Sequence, residues 1–204
     1  ACSNRMSEVA LKLLDMDCNP SQVNDDDNTA LIYACSKKMP EVALKLLDMD
    51  CNPSYVNKNG NTALTWACSN QMTEVALKLL DMDCKPFQIN KYKQGALYYV
   101  CRHRMTDVAL KLLNMDCKPS QVNIYGDTAL TLVCENKMSE VALKLLDMDC
   151  NPSHINNDRD TALLWACSNR MSEVALKLLD MDCNPSQVND DDNTALIYAC
   201  SKKM

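Results

Sequence analysis

Histidine, glycine and phenylalanine are scarce in this chain of 204 residues, at two, three and one copies, and what is missing closes off several functions. No apolar run approaches the ~18 residues needed to span a bilayer, so no membrane partner is expected. The first residues carry neither the basic nor the apolar region of a signal peptide. Basic residues number 21 against 27 acidic ones, the reverse of a phosphate-neutralising surface, and nucleic acid is not an expected partner. With only His103 and His154 and no Cys-x-x-Cys pair, a zinc ligand set is missing. Asp25-Asp26-Asp27 begins like a calcium loop but lacks the following Gly and the Glu at the twelfth position. The carboxylates Glu8, Glu41, Glu74, Asp107, Glu140 and Glu173 form one repeated column, whereas catalysis needs unlike groups converging at one pocket. No catalytic residue, no metal and no cofactor is expected, and therefore no enzyme.

What the sequence has in abundance is period. Thirteen cysteines fall in two registers of 33 residues, Cys2, Cys35, Cys68, Cys101, Cys134, Cys167 and Cys200 in one, Cys18, Cys51, Cys84, Cys117, Cys150 and Cys183 in the other. Thirteen methionines divide the same way. Packed helices sit ~10 Å apart, beyond the ~7 Å Cα limit of a disulfide. The cysteines therefore read as small apolar core residues, the two registers at opposite ends of a helix pair, and point to a reducing, intracellular and cytoplasmic compartment.

Thr-Ala-Leu recurs at Thr29, Thr62, Thr128, Thr161 and Thr194, with Gly95 in the slot of one departing copy. Each unit holds a short apolar segment, such as Ala63 to Cys68, a polar break at Ser69 to Gln71, and a longer segment from Thr73 to Met82. The spacing predicts two helices. In the second, Val75, Ala76, Leu79 and Leu80 lie on one face at the 3.6-residue period. Ser7, Thr73, Thr106, Ser139 and Ser172 are placed to cap its N-terminus, and Pro40 in the same column suits a first helical turn. The Pro column Pro20, Pro53, Pro86, Pro119, Pro152 and Pro185 forbids continuation beyond it. The Asn-rich and charged stretches that follow, Lys58-Asn59-Gly60 among them, read as turn tips.

A helix pair this short cannot bury its apolar face alone, so units must stack. Thr62-Ala63-Leu64-Thr65-Trp66-Ala67, followed by Glu74-Val75 to Leu79-Leu80, resembles the ankyrin repeat family, whose pattern is Thr-Pro-Leu-His-x-Ala. The resemblance implies an all-α, ankyrin-type solenoid of 33-residue helix-turn-helix repeats with turn or hairpin tips. It implies one array over 1–204: a partial repeat 1–27, repeats 28–60, 61–93, 94–126, 127–159 and 160–192, and a partial repeat 193–204. The family's Pro is Ala here. Its Gly between the helices is Lys38, Gln71, Arg104, Lys137 or Arg170, and its Gly after the second helix is Asp17, Asp50, Asp83, Asp116, Asp149 or Asp182. Residues 1–39 are identical to residues 166–204, and neither end carries a polar capping repeat, so a slice of a longer array is expected.

The second helices hardly vary between units, while all ten aromatic residues lie in the first helices and the tips. Tyr33, Trp66, Tyr99 and Trp165 share a column with Leu132 and read as packing between first helices. Tyr55, Phe87, Tyr92 and Tyr125 lie in the turn segments, where exposure is expected. Between Lys85 and Arg104 there are five basic residues and no acid. Lys85, Phe87, Lys91, Tyr92, Lys93, Tyr98, Arg102, Arg104 and Tyr125 therefore form the candidate partner-binding set, with the basic, aromatic composition that suits an acidic or phosphorylated protein partner. By resemblance, the tips and first helices make the gripping surface. The expected function is a protein-protein interaction scaffold. The alternative is a self-associating structural array, suggested by the uncapped stack and by the column Leu11, Leu44, Leu77, Leu110, Leu143 and Leu176.

Overall fold

The computed structural model describes residues 2–16, 18–49, 51–82, 84–115, 119–181 and 183–202, without the side chains of 2–4 and 202. Cys117 and the column Asp17, Asp50, Asp83, Asp116 and Asp182 lie outside the described residues. The chain divides into two compact units, Ala1–Lys91 and Tyr92–Met204.

The first unit holds α1 (Cys2–Leu14), α2 (Ala30–Ser36), α3 (Pro40–Leu47), α4 (Ala63–Ser69) and α5 (Thr73–Leu80). The second holds α6 (Ala96–Arg102), α7 (Thr106–Leu113), α8 (Ala129–Glu135), α9 (Ser139–Leu146), α10 (Ala162–Ser168), α11 (Ser172–Leu179) and α12 (Ala195–Lys202). In the first unit α2 packs on α4, and α1, α3 and α5 pack in succession. In the second, α6, α8, α10 and α12 form one row, and α7, α9 and α11 the row behind it.

The predicted apolar face is the core. Val75, Ala76 and Leu79 are fully buried and Leu80 nearly so, and the same four positions of α7 and α9 behave alike. Each such Leu contributes about 1.5–3 kcal/mol by leaving water. The first helices bury their Ala-Leu faces, for example Ala63, Leu64 and Ala67. The stripe Leu44, Leu77, Leu110 and Leu143 is half-buried within the stack, while Leu176 is exposed. Cys35, Cys68, Cys101, Cys134 and Cys167 are buried, as are Cys51, Cys84 and Cys183, whereas Cys18 and Cys200 are exposed.

The capping expectation is corrected. The residues preceding the second helices are Met39, Met72, Met105, Met138 and Met171, which make no side-chain cap, and Thr73, Thr106, Ser139 and Ser172 are already the first helical residues. Ser7 lies inside α1. The reason is the turn between the helices. Lys137 N–H donates to Cys134 O at 3.4 Å and Met138 N–H to Val133 O at 2.9 Å, the paired closure of a left-handed helix terminus. That closure engages the methionine backbone directly and begins the second helix one residue earlier than a Ser or Thr cap requires. Lys38, Gln71, Arg104, Lys137 and Arg170 occupy its left-handed position at φ 55–60°.

Side-chain capping falls instead to the first helices. The Oγ1 atoms of Thr29, Thr62, Thr128 and Thr161 accept from the N–H three residues on, and Thr65 and Thr131 return the bond at two of these sites. Gly95, at the start of α6, offers no side chain for this. The second helix ends at Leu80, ahead of the predicted Met82 and of the Pro column.

Successive repeats are also stitched through polar groups. In the first unit Asn57 donates to Asn28 Oδ1 at 2.8 Å and Asn90 to Asn61 Oδ1 at 3.1 Å. In the second, Asn156 donates to Asp127 Oδ1 and Asn189 to Asp160 Oδ1, both at 2.9 Å. The tips add backbone rungs, Lys58 N–H to Asp26 O and Lys91 N–H to Asn59 O at 3.1 Å, and Asn157 N–H to Tyr125 O at 3.2 Å. The donors Asn57, Asn90, Asn156 and Asn189 are buried, so an unmade bond there would cost about 1–3 kcal/mol.

Candidate functional site

The unit division falls inside the nine-residue set. Lys85, Phe87 and Lys91 belong to the first unit, and Tyr92, Lys93, Tyr98, Arg102, Arg104 and Tyr125 to the second. In the first unit Lys85 and Lys91 are exposed and Phe87 keeps 43% of its surface. Lys91 is anchored in the tip, with Nζ donating to Asn59 Oδ1 at 3.2 Å.

In the second unit Tyr92 and Tyr125 retain 47% and 53% of their surface, and Arg102 and Arg104 are exposed. Exposed aromatics are usually a cost that a recognition surface repays. Lys93 and Arg104 sit in left-handed backbone at φ 56°. Tyr98 is half-buried on α6, edge-on to Tyr99 with ring centroids 5.1 Å apart. Tyr99 donates its hydroxyl to Gln94 Oε1 at 3.1 Å, so this aromatic is fixed to the start of its own repeat.

Tyr98 is also where the cluster can be read electrostatically. Burial pushes its hydroxyl above the ordinary range; Arg102 opposes this, and Tyr125, Asp127 and Glu135 add to it. Arg102 from α6, Tyr125 and Asp127 from the following tip and Glu135 from α8 are therefore each within electrostatic reach of Tyr98. Glu135 is itself pushed up, first by burial and then by Asp127, with Arg102 opposing and Asp160 and Asp158 adding. Asp160 is raised by burial, against the hydrogen bond from Asn189. His103 is lowered by burial and then by Arg102.

The candidate set contains Tyr98, Arg102 and Tyr125 but not Asp127 and Glu135, which stand 25 and 33 residues beyond Arg102. The 33-residue period was itself the available signal, because Glu135 occupies the same repeat position as Arg102. The surface around Arg102 thus carries both signs of charge.

The other aromatics divide. Tyr33 is 41% exposed and accepts from Asn24 Nδ2 at 2.9 Å, Trp66, Tyr99 and Trp165 are half-buried, and Leu132 is buried. Tyr55 is half-buried in a crevice lined by Pro20, Ser21, Thr29, Cys51 and Asn52. Among the described residues no three His, Cys, Asp or Glu side chains converge as metal ligands, and no helix is long and apolar enough to cross a membrane.

Stacked pairs of short helices, each completing its core against the next and joined by hydrogen-bonded tips, define an α-solenoid of repeats in each unit. The ankyrin repeat profile, in three copies, matches residues 1–92 and 132–204, and the chain belongs to the ankyrin repeat family. Solved structures agree on the fold. The human ASB11 ankyrin repeat domain is 20% identical, with a TM-score of 0.71 over 97% of this chain and 88% of that one. The ankyrin repeat protein EF0377 is 23% identical, with a TM-score of 0.66 over 85% and 92%. The ankyrin repeat domain of Bcl-3, a member of the IkappaB family, is 19% identical, with a TM-score of 0.61 over 97% and 89%. No curated protein matches the sequence.

Proposed function

We propose that this chain is an interaction scaffold that holds a protein partner through its turn tips and first helices, and that Tyr98, Arg102 and Tyr125 are a centre of contact in the second unit. Ankyrin repeat domains generally bind protein partners, which supports the reading. The observation that carries it is the exposure of Arg102 and Tyr125 within electrostatic reach of the half-buried Tyr98, with the acids Asp127 and Glu135 acting on the same tyrosine. Such side chains dominate binding energy where they can be enclosed by a partner.

Arg102 would take an acidic group of the partner, and Tyr98 and Tyr125 an apolar or aromatic one. Asp127 and Glu135 set the register, because a uniformly acidic segment meets repulsion there. Lys93, Arg104 and Tyr92 extend this surface in the second unit, and Lys85, Phe87 and Lys91 offer a separate contact in the first. The half-buried leucine stripe is largely used within the stack, so lateral self-association draws no support from it.

Peptides selected against the chain from a random displayed library test this. Arg102→Ala with Tyr125→Ala should weaken them at least tenfold, about 1.4 kcal/mol, with helical circular dichroism unchanged. Full affinity in the double variant would remove this surface from the proposal.

A further inference from the structure

Asn59 is the only asparagine of the chain followed by glycine. It lies exposed at a turn tip, and Gly60 behind it has φ 81° and no side chain to shield its nitrogen. Two contacts bear on the Asn59 side chain and its neighbour. Lys91 Nζ donates to Asn59 Oδ1 at 3.2 Å, and Gly60 N–H donates to Asn57 O at 2.9 Å. The first draws electron density from the side-chain amide carbon and faces the oxygen on which negative charge grows when that carbon is attacked. The second is a single turn bond that must open to free the attacking nitrogen, and tips are where such opening is easiest.

We propose that Asn59 is a site of spontaneous deamidation, with Lys91 as the group that promotes it. The Gly60 nitrogen, its proton lost to solvent base, forms a bond to Asn59 Cγ. The Cγ–N bond to the side-chain amide nitrogen breaks, that nitrogen takes a proton from solvent and leaves as ammonia, and a five-membered succinimide remains. Water then opens either of its carbonyls, yielding aspartate or isoaspartate. No oxidant or reductant is involved; one water is consumed and one ammonia released.

The product changes the tip in two ways. Net charge moves from −6 to −7, since one neutral amide becomes a carboxylate (−6 − 1). The isoaspartyl form also inserts a methylene into the backbone that supplies the rung from Lys91 N–H to Asn59 O. The other asparagines of the first-unit tips lack the pairing. Asn28 and Asn61 precede threonines, whose branched side chains hinder attack, and Asn24, Asn57 and Asn90 precede Asp25, Lys58 and Lys91, each with a side chain where Gly60 has none.

The full chain is aged in mildly alkaline buffer at body temperature, and isoaspartate is located by enzymatic methyl labelling and peptide mass spectrometry. Label should appear first in the peptide that begins at Asn59 and be absent in Asn59→Gln. Lys91→Met should slow its appearance about two- to fivefold, the range open to an exposed charged contact, and Lys91→Arg should restore it. Label arising first at another asparagine overturns the site. An unchanged or faster rate in Lys91→Met overturns the role of Lys91. A synthetic peptide spanning Tyr55 to Thr65 that labels while the folded chain does not would show that the tip protects Asn59, and that result also refutes the proposal.

Discussion

Replacing Lys137 by glycine should make the protein more stable, whereas replacing Gly126 by alanine should destabilise it, although both residues have positive φ. Lys137 sits at φ 59° in the left-handed closing position after α8, exposed, and among the described residues it makes no ion pair or side-chain hydrogen bond. Left-handed backbone costs an L-residue about 1–2 kcal/mol, and glycine gives back about 0.5–1 kcal/mol through its freer unfolded chain. The net expectation for Lys137→Gly is a gain of about 0.5–1 kcal/mol. Gly126 is at φ 81°, and a Cβ there would lie 2.6 Å from Asn157 Oδ1 and 2.7 Å from Asn157 N. Backbone has to move as well as adopt strain, so Gly126→Ala should cost about 2 kcal/mol or more. For a chain of this size each kcal/mol is about 2–4 °C in Tm. Thermal and urea unfolding followed by circular dichroism provide the readout. Hydrogen exchange at Met138 N–H, bonded to Val133 O at 2.9 Å, reports whether the gain is local. A neutral or destabilising Lys137→Gly with an unchanged m value would refute the view that the side chain is carried there against backbone strain.

Thr128→Ala should cost about 1 kcal/mol and at most about 2, because the Thr131 N–H in the first turn of α8 loses its acceptor, Thr128 Oγ1, while the Thr131 hydroxyl keeps its bonds to the backbone of residue 128; urea midpoints measure it, and no change would mean that the cap is unimportant. Stability should also fall at high pH through the buried thiols. Burial, then Cys51, pushes Cys35 up to about 12, and burial first raises Cys68 and Cys134 as well. An unfolded thiol ionises near its ordinary value of 9.0 while the folded one stays neutral, so this contribution is whole below about 9 and lost as pH rises toward 12. Iodoacetamide should modify Cys18 and Cys200 in the native chain and reach Cys35, Cys68 and Cys134 only with denaturant; equal rates throughout would contradict the burial.

The helix pairs, their apolar faces and the stacking were legible because a strict period states both local structure and neighbour relations at once. Val75, Ala76, Leu79 and Leu80 could be placed in the core from their spacing alone. Cap positions were not legible, since Met72 and Thr73 are both compatible with a helix start until the left-handed closure at Gln71 fixes the frame. The candidate contact residues could be chosen from composition, but not their geometry. Proximity along the chain joined Lys85 to Arg104, whereas folding joins Tyr98 and Arg102 to Asp127 and Glu135 from the following repeat.

One stretch of sequence separates the two kinds of information. Residues 2–14 and 167–179 are the same thirteen amino acids. The first is the single helix α1. The second is broken by Asn169 and Arg170, the latter at φ 60°, into the end of α10 and the whole of α11. At the break the Asn169 amide donates to Cys134 O at 2.8 Å and to Glu135 O at 2.9 Å, carbonyls at the end of a helix one repeat earlier. The amino acids by themselves determine that this stretch is helical and which face is apolar, because both follow from propensity and period. In the second copy the turn back is closed by the left-handed Arg170 and held to the preceding repeat by those two hydrogen bonds, contacts between repeats that only the tertiary structure supplies.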